Sequence, residues 1–113
     1  MMIGIGCDIV EIKRIAKAME KEGFLHILTS NELALFQHYK GSRRAEWLAG
    51  RFAAKEAIYK AIHKEYPCVI SDIEILCDED GAPVCTFTNC DVSISIAHEH
   101  EYAIAYAVAI SKE

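Results

Sequence analysis

No stretch of this sequence approaches the roughly 20 apolar residues that a membrane-spanning helix needs. Its opening, Met-Met-Ile-Gly-Ile-Gly-Cys-Asp, lacks the basic start and long apolar segment of a secretory leader. The expected compartment is the cytosol, and no membrane partner is expected. Positive charge is also short. Twelve basic residues against 17 acidic ones leave a net charge of −5, so the general field that nucleic acid requires is absent. A local basic patch survives that argument. No Cys-x-x-Cys pair occurs, and the five cysteines (Cys7, Cys68, Cys77, Cys85 and Cys90) are odd in number. Neither a disulfide framework nor a zinc ribbon is indicated, and all five are expected as reduced core residues. Walker and G-x-G-x-x-G loops are missing, which sets aside the common nucleotide-triphosphate modes. So are repeats, low-complexity tracts and linkers.

What is present is enough for one domain spanning 1–113, with 52% of its residues hydrophobic. A domain of this size buries roughly two-thirds of its unfolded surface. That leaves little material for a deep private pocket and suits a site shared between subunits.

Residues 2–9 read as a strand, with Ile3, Ile5, Cys7 and Ile9 alternating with Gly4, Gly6 and Asp8. One face is apolar; the other carries two glycines, which often mark close approach of a ligand or backbone. Residues 11–22 predict a helix stopped by Gly23. Thr29 and Glu32 fit a capping box that opens a second helix with Leu33, Phe36 and Tyr39 inward. A long alanine-rich helix is predicted from about residue 43 to 63. The last third is β. Ile73, Ile75 and Cys77 alternate, Asp80-Gly81 turns, and residues 84–87 return. Val92, Ile94 and Ile96 then alternate with Ser93, Ser95 and Ala97. From Tyr102, bulky residues alternate with Ala103, Ala105, Ala107 and Ala109, which suits a strand whose small side receives a helix. This order predicts an α+β fold, its mostly antiparallel sheet packed on the long helix.

Three clusters could carry chemistry. Asp8 projects from the glycine face near the end of the first strand, where it could equally cap the next helix. Glu56 and Lys60 lie one turn apart on the long helix, which also describes an ordinary surface ion pair. His98 stands where a strand ends, as a phosphate contact or as part of a solvated turn. Together the clusters form a coherent set. Mg²⁺ typically takes one or two carboxylates, several waters and a substrate phosphate. Asp8 and Glu56 offer the carboxylates; Arg14, Arg51, Lys60 and His98 offer groups for a diphosphate. Phosphoryl transfer relies on such positioning and charge neutralisation.

The sequence resembles the holo-acyl-carrier-protein synthases, the small bacterial class of 4′-phosphopantetheinyl transferase. The opening G-I-G-x-D-I-V-x-I-x-R-I pattern runs through Ile15. F-A-A-K-E-A falls at residues 52–57 with Lys60 four positions beyond the glutamate. The closing S-I-x-H and Y-A strands fall at 95–103. The resemblance implies a half-domain fold that forms homotrimers with interfacial active sites. It implies Mg²⁺ as cofactor on Asp8 and Glu56, catalysis by Asp8, Glu56 and Lys60, and coenzyme A contacts from Arg51, Lys60 and His98. It assigns Arg14, Arg43 and Arg44 to the surface that meets an acidic acyl carrier protein. The implied reaction moves phosphopantetheine from coenzyme A to a carrier serine, with 3′,5′-ADP leaving. The alternative is a non-catalytic module that grips coenzyme A or the carrier. The sequence departs from the pattern in three places. Ala97 replaces a hydroxyl residue, 61–66 lacks a glycine-rich loop, and Asp80-Gly81-Ala82-Pro83 lacks a basic residue between Gly and Pro.

Overall fold

A computed structural model describes residues 1–112. The chain opens with strand β1 (Met2–Glu11), followed by helices α1 (Ile12–Ala18), α2 (Ser30–Phe36) and α3 (Ser42–Ile62). Strands β2 (Ile75–Cys77), β3 (Pro83–Thr86), β4 (Cys90–His98) and β5 (Tyr102–Ser111) complete it. The five strands form one sheet in the order β1-β5-β4-β3-β2, with every pairing antiparallel. The expected α+β architecture is the observed one.

Helix α3 lies across the inner face of the sheet, and small residues on both sides set its distance. Ala103, Ala105, Ala107 and Ala109 of β5 are buried against a helix that buries Ala49, Ala53, Ala54, Ala57 and Ala61. On β1, a Cβ at Gly4 would strike the carbonyl of Ala61, and one at Gly6 the carbonyl of Ala57. The backbone that the glycines admit is therefore that of α3, seated directly on β1. Asp8 follows them on the same face, paired in register with Ala105. A register shift between Met2 and Gly4 separates Ile3, which packs against the core, from Ile5 and Ile9 on the exposed outer face.

The termini of several elements differ from the sequence expectation. Glu11 belongs to β1, and α1 stops at Ala18 rather than at residue 22. Its apolar stripe spans only two turns, after which Glu20 and Lys21 make tighter i→i−3 bonds to Lys17 and Ala18. Helix α2 stops at Phe36, leaving Tyr39 to stack on Trp47 at 5.6 Å. Ile73 is buried ahead of β2 rather than in it. The cysteines also divide. All five are free, and Cys85 and Cys90 are buried, but Cys7 and Cys77 are exposed. Cys7 shares the outer face of β1 with Ile5 and Ile9, whereas Cys77 lies on the same side as buried Ile75 and is exposed because it ends the edge strand β2. Burial pushes the Cys85 thiol up to about 12.

The predicted capping box is formed. Glu32 accepts from Thr29 N at 2.8 Å, and Thr29 Oγ1 accepts from Glu32 N at 3.2 Å. Glu32 is also fully buried, 2.7 Å from the equally buried Lys55 Nζ, and its other oxygen accepts from Ile75 N at 2.7 Å. Lys55 donates further to the carbonyls of Ile70 and Ile73. One ion pair thus ties α2, α3 and the approach to β2 together. Breaking such a pair typically costs about 3–5 kcal/mol, because the surviving charge is left buried.

Candidate active site

The packing of α3 on β1 brings Asp8 and Glu56 to one cavity of about 390 Å³. Asp8 enters from the strand and Glu56 from the helix. Arg14 of α1 lies on its wall, and Phe24, Phe52, Ile15 and Ala18 give it an apolar side. The two carboxylates feel each other. Burial raises the proton affinity of Glu56 above the ordinary glutamate range, the Asp8 charge raises it further, and Lys60 pulls it down. Lys60 does not pair with Glu56 along the helix. Its ammonium lies 3.1 Å from Asp8 Oδ1 and donates to the Cys7 carbonyl at 2.9 Å. Asp8 does not cap α1 either: that helix begins after Glu11 without a side-chain cap.

A second cavity of about 260 Å³ opens further toward the start of α3. Tyr39, Arg43, Trp47, Arg51, Pro83 and His98 contribute to its lining. Arg51 is the notable group. Only 6% of it is exposed, its guanidinium stacks 4.8 Å from the Trp47 ring centre, and Nη2 donates to Cys77 Sγ at 3.2 Å. Its Nε has no partner, and no carboxylate pairs with it among the described residues. A buried cation with unspent donors suits an anionic ligand. His98 is exposed at the end of β4, beside this cavity.

The candidate residues thus divide between two adjoining cavities on α3. Asp8, Glu56 and Arg14 line the first, with Lys60 outside its lining but paired to Asp8; Arg51, His98 and Arg43 line the second. Arg44 lines neither. Its guanidinium covers the Phe36 ring at 4.3 Å, and its Nε is buried. Trp47, Tyr39 and Phe24 were not singled out from the sequence as site residues, although aromatic side chains at those positions read readily as core.

Residues 4–110 match the model of the 4′-phosphopantetheinyl transferase superfamily, and the chain belongs to that family. It is 53% identical over 90 residues to the holo-[acyl-carrier-protein] synthase of Ligilactobacillus salivarius, covering 74% of this chain and 65% of that one, just under two-thirds of the relative's length. Against the synthase of Halalkalibacterium halodurans it is 46% identical over 100 residues, 83% of this chain and 82% of that one. The fold superposes on the crystal structure of a holo-(acyl-carrier-protein) synthase from Bacillus anthracis in complex with CoA (3′,5′-ADP). The TM-score is 0.89 at 44% identity, covering 99% of both chains.

Proposed function

We propose that this chain is a holo-[acyl-carrier-protein] synthase that transfers 4′-phosphopantetheine from coenzyme A to a serine of apo-acyl carrier protein. The observation that carries this reading is the meeting of Asp8 and Glu56, distant in sequence, at one cavity beside a second that holds the unpaired Arg51.

Asp8 and Glu56 fit Mg²⁺. Both are hard oxygen donors, and their mutual repulsion is the kind a divalent cation relieves. When bound, Mg²⁺ neutralises charge on the coenzyme A diphosphate. The serine hydroxyl attacks the phosphorus that bears the pantetheine, and the bond from that phosphorus to the 3′,5′-ADP oxygen breaks. Glu56, or a water beside it, takes the serine proton. Lys60 neutralises the departing 3′,5′-ADP. Arg51 and His98 hold the nucleotide end of coenzyme A; both line the second cavity, and no carboxylate pairs with Arg51 among the described residues. The apolar side of the first cavity, with Phe24 and Phe52, suits the pantetheine arm or a carrier side chain. Arg14, Arg43 and Arg44 supply the local positive surface through which an acidic enzyme docks an acidic carrier.

The partner set includes a second and third copy of the chain. Ile5, Ile9 and Tyr106 stand more than half exposed on the outer face of β1 and β5, an apolar surface suited to burial in a homotrimer. A cytosolic reaction is part of this reading. Among the described residues no helix is long and apolar enough to cross a membrane.

The test is the mass of an apo-acyl carrier protein after incubation with the enzyme, coenzyme A and Mg²⁺. A gain of one phosphopantetheine is expected, lost in Glu56→Gln. Coenzyme A binding with no mass gain would instead identify a non-catalytic module.

A further inference from the structure

The carboxylate of Asp8 is already engaged by a cation of the protein's own. Lys60 Nζ reaches Asp8 Oδ1 at 3.1 Å and the Cys7 carbonyl at 2.9 Å, crossing from α3 to the end of β1 instead of turning toward Glu56 one turn away on its own helix. The Asp8 side chain is only 18% exposed, whereas that of Lys60 is 49% exposed. The ammonium therefore has room to swing out while the carboxylate stays in the cavity wall. The charges at this spot are coupled, since Asp8 and Lys60 act on Glu56 with opposite signs.

Resting on the reading of Asp8 and Glu56 as the carboxylates that hold Mg²⁺, we propose that Lys60 is an exchangeable resident cation, bound to Asp8 in the ligand-free enzyme and released from it only when an anionic substrate offers a new partner. A metal ion arriving alone has to displace the ammonium from its only carboxylate partner, leaving it the Cys7 carbonyl and water but no counter-charge. Arrival together with a diphosphate lets Lys60 pass from one anion to another without being unpaired. Exchange of this kind makes metal and coenzyme A load cooperatively, because each removes an obstacle to the other. It also keeps two neighbouring carboxylates from facing each other uncompensated while the site waits.

The test is Mn²⁺ binding followed by electron paramagnetic resonance, with and without coenzyme A, in the wild type and in Lys60→Met. Lys60→Gln serves as a second variant, and circular dichroism checks the fold of each. An exposed pair of this type is worth a few-fold in affinity, so both variants are expected to tighten Mn²⁺ by roughly threefold to fivefold in the absence of coenzyme A. With coenzyme A present that gain disappears. Equal tightening in both states would show simple through-space repulsion and overturn the exchange, as would no tightening at all. Asp8→Asn separates this outcome from the underlying site: if it bound Mn²⁺ as well as the wild type, the carboxylate pair itself would fall, and Lys60 exchange with it.

Discussion

Glu56 is pushed toward its protonated form by burial first and by Asp8 second, with Lys60 opposing both. A carboxyl group that binds its proton more tightly in the folded chain favours folding below the ordinary glutamate range. That contribution is lost as the pH rises through the raised value. At neutral pH the ionised Glu56 therefore works against the fold. Glu56→Gln is expected to melt at a higher temperature than the wild type when free of ligand, with the difference closing as the pH falls through the raised value, where the folded wild-type group regains its proton, toward the ordinary glutamate range of about 4.3. A melting series across that range checks the sign, and a lower neutral-pH midpoint for the variant would refute it. At this scale the sequence was only partly readable. The acidic residues at 8 and 56 stood out as candidate metal carboxylates from their clusters, each with an ordinary alternative, and the resemblance to a family pattern added weight to them. Helical spacing alone would have paired Lys60 with Glu56 rather than with Asp8. The burial of Arg51 was hidden as well, since nothing local to it announces the Trp47 ring and the Cys77 thiol that enclose it.

At the scale of elements, the seating of α3 on β1 decides where the acidic groups meet. Gly4 and Gly6 face helix carbonyls with no room for a methyl group, and neither those carbonyls nor the strand backbone can move aside as a flexible side chain would. Gly6→Ala is expected to destabilise the protein by about 2 kcal/mol or more and to lower transfer activity, because the helix must lift at the position that presents Glu56. Urea unfolding measures the first effect; an unchanged midpoint would show that the contact is looser than described. Alternation made β1, β4 and β5 readable, and the small side of β5 correctly anticipated a packed helix. The register shift that turns Ile3 inward was not readable, nor was the early end of α1. The Glu32–Lys55 pair escaped for a different reason. The capping-box motif explains Glu32 completely within its own helix, and the buried lysine that shares it lies on another one.

Across the whole molecule, the two faces of the sheet have opposite fates. The inner face carries glycine and alanine under α3, while the outer face presents Ile5, Ile9, Tyr102, Tyr106 and Ile110. A combined Ile5→Glu and Tyr106→Glu change is expected to turn an oligomer into a monomer in size-exclusion chromatography and to reduce transfer, since the active site is proposed to be completed between subunits. Wild-type protein that eluted as a monomer at every concentration would contradict the arrangement. Composition bounded this level of organisation without deciding it: a short chain with little depth for a private cleft is suited to sharing one. The seat of α3 has one more consequence. Where a helix rests on side chains, evolution can widen or narrow the gap by trading leucine for valine or alanine. Here the spacer is main chain against main chain, and main chain has no smaller or larger version. The separation of the acidic groups across the two elements thus behaves as a fixed gauge, and drift among the surrounding core residues has little means of retuning it.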